Sequence, residues 1–289
     1  KLGHEIKGFD AYMTSNVLSG SGLSSSAAYE TMIGVIINRF FCEDKLTAVD
    51  IAKIGQYAEN IYFGKPCGLM DQMASSVGGI VAIDFANQNE PTVRKIIYDL
   101  QASEHSLCIV DTGGDHAELT GDYAAIPREM GEIAAAFGKT VLREVDEAEF
   151  LKAIPSLRRQ CGDRAVLRSM HFFAENRRAV AEKEALEKGN FEKFRQLVIA
   201  SGRSSAMYLQ NVYTGVNPEK QDMSVALALA ESILDGRGAV RVHGGGFAGT
   251  VQAYVPLDML DAFKAEMQSV FGEKSCYVLS VRSAGGTKV

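Results

Sequence analysis

The residues whose types and spacing promise chemistry begin at 18–28, Leu-Ser-Gly-Ser-Gly-Leu-Ser-Ser-Ser-Ala-Ala. Gly20 and Gly22 remove side chains where the backbone must turn tightly, and Ser24, Ser25 and Ser26 then open a helical pattern starting near Ala27. Free N–H groups and the positive end of a helix dipole converge on whatever such a loop faces, and small hydroxyls surround it. That combination suits a phosphate. Three other glycine loops fail here. A P-loop needs a lysine followed by Ser or Thr, and no lysine lies between Lys7 and Lys45. A dinucleotide fingerprint needs a third small residue and, about 20 residues on, an acid ending a second strand, where this sequence reads as helix. A nucleophile elbow needs Gly two places after its serine, and Ser24 is followed by Ser25 and Ser26. Taken alone, the stretch is either an anion site or a helix cap with a flexible lead-in.

Two further stretches stand out. Cys67-Gly68-Leu69-Met70-Asp71-Gln72-Met73 is too short and glycine-broken to be core alone, and an Asp in such a loop reads first as a turn residue or cap. Gly244, Gly245 and Gly246, before Phe247-Ala248-Gly249, let a backbone pass close to something bulky or simply form a turn between strands.

The elements that would position these residues follow from periodicity. Residues 6–17 read as extended, so the order is strand, glycine loop, helix through 41. A second helix covers 47–62, with Thr47 as cap and Asp50 at the capping-box position. Strands are expected at 80–85, 92–98 and 106–111, with residues 67–73 as a loop. From 118 to 230 the pattern is mostly helical; the charged run 182–188 reads as a solvated helix face, and Arg177 and Arg178 as surface pairing. Strands at 239–243 and 250–255, a helix at 257–271 and a strand at 275–281 close the chain as β-β-α-β.

The 289 residues suffice for a large core, and 46% hydrophobic with 23% charged residues is ordinary globular composition. A net charge of -6 without a basic block excludes a general nucleic-acid binder. Cys42, Cys67, Cys108, Cys161 and Cys276 are odd in number and scattered, with neither zinc spacing nor a disulfide framework, which points to a reducing, cytoplasmic setting. No apolar run is long enough to span a bilayer, so no membrane partner is expected.

In order along the chain, the three glycine-bearing motifs resemble those of the GHMP small-molecule kinases, and Cys67–Gln72 is similar to the segment of their galactokinase members. The resemblance implies an α+β GHMP kinase fold in two domains: an N-terminal ATP-binding part like ribosomal protein S5 domain 2 at 1–112, and a C-terminal part at 113–289. It implies that Gly20, Ser21, Gly22, Leu23, Ser24, Ser25, Ser26 and Ala27 bind ATP, that Asp71 is the catalytic base beside the sugar, and that Ser26 and Glu59 hold Mg²⁺, Glu59 otherwise being an exposed helical acid. Tyr123, seven residues after His116, matches a sugar-facing tyrosine, although Asp115 replaces a basic residue and Arg128 beside Pro127 replaces paired arginines. A half-buried tyrosine with a satisfied hydroxyl is the alternative there. Gly245 and Gly246 would shape the substrate site, and His243 would be structural.

The implied activity is phosphorylation of galactose at its anomeric hydroxyl. Neighbouring readings are an N-acetylgalactosamine kinase and a non-catalytic galactose and ATP sensor. Retention of Ser26, Glu59 and Asp71 favours catalysis, since a sensor need not keep a base. The family's first sugar motif, an Arg and a Gly-Glu-His-Thr-Asp-Tyr-like sequence, finds no match in 1–289, so the first strands are expected to be missing and this chain to be inactive alone.

Overall fold

Thr47 begins its helix as the spacing predicts. Its hydroxyl accepts from the Asp50 N–H at 3.1 Å while the Asp50 carboxylate accepts from the Thr47 N–H at 2.9 Å, so two otherwise orphaned donors are satisfied reciprocally. The computed structural model describes residues 3–17, 23–64, 67–87, 90–114 and 119–287, and all statements here concern those residues. They form two compact units, Lys1–Tyr98 with Val281–Val289, and Asp99–Ser280, so the division falls at 98/99 and the C-terminal tail returns to the first unit.

In the first unit, α1 (Ser25–Phe41), α2 (Ala48–Tyr57) and α3 (Met70–Val77) pack together, and β1 (Ile80–Asp84) pairs antiparallel with β2 (Thr92–Ile96). Close approach of α1 to α2 depends on Gly34, where a Cβ would lie 2.6 Å from Ile51 Cγ2. The tail is tied on by backbone bonds from Gly79 N–H to the Arg282 carbonyl at 2.8 Å and from Gly286 N–H to the Ser75 carbonyl at 3.2 Å.

Two expectations fail in this unit. Residues 6–17 form no strand: they pair with no ladder among the described residues, and Ile6, Phe9, Tyr12 and Met13 are exposed, so the segment has no buried face to hold it in a sheet. Residues 70–73, expected as loop, are the first turn of α3. Gln72 and Met73 turn inward, and Met73 joins Ala52 and Leu69 in a small core, which supplies the helix with the apolar face its short sequence hides.

The second unit holds the antiparallel sheet β4-β5-β3-β6, from β3 (His105–Asp111), β4 (Ala239–Val242), β5 (Thr250–Pro256) and β6 (Cys276–Leu279). One core lies between this sheet and the helices α8 (Asp222–Leu234) and α9 (Leu260–Phe271). Another lies among α4 (Thr120–Ala136), α5 (Glu147–Cys161) and α6 (Asp163–Glu187), with α7 (Phe191–Ser204) against α6 and β4. The expected β-β-α-β ending is present, and no helix among the described residues is long and apolar enough to cross a membrane. All five cysteines are free thiols.

The run 182–188 is not simply a solvated face. Ala185 and Leu186 are buried, and Glu182 Oε1 is buried with no hydrogen-bond partner among the described residues. Arg177 pairs with Glu147 at the surface as expected, but Arg178 turns inward to Glu175, which also accepts from Ser201. Burial pushes the Glu182 carboxyl up to about 7, opposed by the charges of Arg241 and Arg178 and reinforced by Glu175. Because its folded value lies above the unfolded one, stability falls as pH rises from about 4.5 through about 7, by roughly 3 kcal/mol once Glu182 is fully ionised. Glu182→Gln is therefore expected to raise the melting temperature at pH 8 and to leave it nearly unchanged at pH 5. Equal melting temperatures for variant and parent at pH 8 would remove this cost from Glu182.

Candidate functional site

In the first unit, Ser24 caps α1 from an unusual position. Its backbone is left-handed (φ 56°, ψ 49°), its carbonyl accepts from Ala28 N–H at 3.1 Å, and its side chain caps nothing in the helix. Instead the hydroxyl donates to Asp71 Oδ2 at 2.6 Å. Ser25 starts α1, Ser26 is exposed on its first turn, Leu23 precedes the cap, and Ala27 is buried. The first N–H groups of a helix lie outside its own hydrogen-bond ladder, so those of Ser25, Ser26 and Ala27 have the geometry of an anion site. Gly20, Ser21 and Gly22 lie outside the described residues.

Asp71 is exposed on the first turn of α3, where the helix dipole favours a negative charge. The next residue, Gln72, is 1% exposed, and its amide donates to Glu59 Oε2 at 3.0 Å and to Glu30 Oε2 at 3.1 Å. One buried amide thus draws carboxylates from α1 and from the end of α2 toward α3. Glu59 sits in a single π-helical turn, Ala58–Tyr62, that continues α2. Such turns recur at functional sites because they re-aim side chains. At 5% exposed, Glu59 is not the solvated helical acid that was its plain alternative.

The preceding loop is pinned by Asn60, whose Oδ1 accepts from Cys67 N–H at 2.7 Å, and by Gln56, which donates to the Cys67 carbonyl at 3.2 Å. Burial, then the neighbouring Glu59 carboxylate, pushes the Cys67 thiol up to about 11, so this cysteine stays protonated.

The second unit carries its own constellation. Between β4 and β5 the chain passes through Gly244 (φ 68°), Gly246 (φ 83°) and Phe247 (φ 61°), and the last is a genuine strained position for a bulky residue. Asn211 and Tyr123 hold this turn. The Asn211 carbonyl accepts from Phe247 N–H, its amide donates to the Gly245 carbonyl at 3.1 Å, and a Cβ on Gly246 would lie 2.1 Å from the Asn211 carbonyl oxygen. Tyr123, half-buried on α4, donates its hydroxyl to the Gly246 carbonyl at 2.7 Å and meets Phe247 edge-on at 5.3 Å. Gly245 lies against the Tyr123 ring. Three of the expected sugar-site residues are therefore in contact with one another, while His116 lies outside the described residues. His243 is structural, its ring bonded to Gln252 at 3.0 Å.

The family described as GHMP kinases N terminal domain matches residues 1–79. Galactokinase of Streptomyces coelicolor is 32% identical over 100% of this chain and 73% of its own length, and that of Ligilactobacillus salivarius 31% identical over the same shares. The chain belongs to the galactokinases of the GHMP kinase family. A crystal structure of Lactococcus lactis galactokinase complexed with galactose superposes with a TM-score of 0.72 at 26% identity, over 94% of this chain and 69% of that one. Membership bears out the α+β GHMP fold expected from the three glycine motifs.

The sequence reading did not foresee the contacts of Gln72 and Asn211, or that the Ser24 hydroxyl bonds Asp71. Gln72 carried a legible signal in its place beside Asp71. Asn211 had none, since its partners lie more than 30 residues away in the chain.

Proposed function

We propose that the complete reading frame carrying this chain transfers the γ-phosphoryl group of ATP to the anomeric hydroxyl of galactose. The observation that carries the reading is the Asp71 carboxylate, exposed at the start of α3 and joined to the serine loop through Ser24. In this reading the C1 hydroxyl oxygen forms a bond to the γ-phosphorus, the bond from phosphorus to the ADP oxygen breaks, and the hydroxyl proton passes to Asp71. First-turn N–H groups of α1 bind phosphate oxygens, and Tyr123, Gly245 and Gly246 are the sugar contacts that the family resemblance implies.

Mg²⁺ fits the donor set of the first unit. A hard cation takes one or two protein oxygens and completes its shell with phosphate and water, and a buried carboxylate at Glu59 with a hydroxyl at Ser26 meets that need. The buried Oε1 of Gln72, unpartnered among the described residues, leaves unmet acceptor capacity beside Glu59. When bound, the ion supplies charge neutralisation of the phosphates.

The test is ADP release from ATP and Mg²⁺ by the complete reading frame, with galactose, N-acetylgalactosamine, glucose, homoserine and mevalonate offered separately. Galactose-dependent release is the expected result. Release with N-acetylgalactosamine alone would move the substrate, and tight galactose and ATP binding without release would replace the kinase by a sensor.

A further inference from the structure

We infer that Ser24 is a positioning residue for Asp71, its hydroxyl serving the carboxylate rather than the phosphates of ATP. This rests on the reading of Asp71 as proton acceptor. A serine at a helix N-cap ordinarily adopts extended backbone and accepts a hydrogen bond from the second or third residue of the helix. Ser24 does neither: it is left-handed, a conformation that disfavours non-glycine residues, and its side chain makes no cap. What it gains is the 2.6 Å bond to Asp71 Oδ2 across 47 residues of sequence. A local rule broken in favour of one long-range contact marks a position whose geometry is set by the site.

Hydrogen-bond arithmetic gives the contact its consequence. A serine hydroxyl has one proton to donate. Spent on Asp71, it is not available to a phosphate oxygen, so Ser24 differs in role from Ser25 and Ser26 although the three stand in one run. Donation to Oδ2 also fixes the carboxylate plane and leaves Oδ1 as the oxygen to receive the sugar proton. By not capping α1, Ser24 leaves the N–H groups of the first turn uncovered for an anion. One rotation of one side chain thus prepares the proton acceptor and the phosphate site together.

Ser24→Ala and Ser24→Gly separate this role from two others. Both are expected to lower kcat about tenfold through loss of orientation, with KM for ATP and galactose and the calorimetric affinity for nucleotide within about twofold of the parent. Placed on Asp71→Asn, which keeps the bond from Ser24 but cannot take the sugar proton, neither should cost anything further. Weakened nucleotide binding with kcat intact would make Ser24 a phosphate contact, and recovery by Gly but not Ala would make its role purely conformational; either result overturns the inference. An additive loss on Asp71→Asn does the same. Near-normal turnover of Asp71→Asn itself would instead remove the proton-acceptor reading, and this inference with it. A slow Asp71→Asn beside fully active Ser24 variants would overturn this inference alone.

Discussion

In the complete reading frame, Asp71→Asn is expected to lower kcat by roughly 10²–10⁴, with KM for ATP close to that of the parent. A positioned acid or base contributes about that factor, equivalent to roughly 3–5 kcal/mol of barrier. The substitution is informative because it changes so little else. Asparagine keeps the shape of the side chain, and its carbonyl oxygen can still accept from Ser24, so the bond that joins α3 to the serine loop survives. What disappears is the capacity to take a proton, together with one negative charge at the start of α3. Phosphoryl transfer passes through a loose transition state in which the nucleophile's proton departs late, which places the expected loss toward the lower end of the range. Turnover within tenfold of the parent, measured by ADP release with galactose saturating, would take Asp71 out of the mechanism.

The reach of sequence reasoning in this chain follows the range of the interactions involved. The Thr47–Asp50 capping box, the helix that starts after Ser24 and the β-β-α-β ending depend on residues a few positions apart, and all were legible. Residues 6–17 read as extended, but a strand is defined by a partner ladder that no local pattern contains. The helix at Met70–Val77 is short and starts without a side-chain cap, so only its burial of Met73 against Ala52 and Leu69 makes it helical. Glu182 shows the same limit on the surface: its neighbours are charged, yet the second unit folds over its carboxylate. For the site, the family resemblance pointed to Asp71 and Glu59. It could not show that the Ser24 hydroxyl faces Asp71, or that Gln72 binds two carboxylates, because those contacts span 47, 42 and 13 residues.

The largest stability effect is expected from a residue that no motif contains. Arg168 on α6 is 1% exposed, donates to Glu129 Oε2 at 2.9 Å and, through Nε, to the Leu209 carbonyl at 3.1 Å. Glu129 lies on α4, the helix that carries Tyr123, and also binds the half-exposed Arg164. Leu209 ends the π-helical turn Ser205–Leu209, and Asn211, two residues on, holds the glycine turn through Gly245 and Phe247. The buried pair therefore braces both supports of that turn, Tyr123 from one side and Asn211 from the other. Glu129→Ala strands the Arg168 guanidinium, whose charged form burial already disfavours, without its counter-ion. Removing one partner of a buried pair costs about 3–5 kcal/mol. For a domain of this size that is a fall in melting temperature of roughly 10 °C.

Replacing both residues with apolar ones of similar volume, Glu129→Leu with Arg168→Met, removes the stranded charge and is expected to restore most of the melting temperature. It does not restore the bond to the Leu209 carbonyl, so Asn211 loses its anchor. The double variant should therefore melt near the parent yet show a raised KM for galactose, which separates bracing of the turn from bulk stability. A Glu129→Ala melting temperature within 2 °C of the parent, read by calorimetry at roughly pH 7, would mean that water reaches Arg168 and that the pair braces nothing.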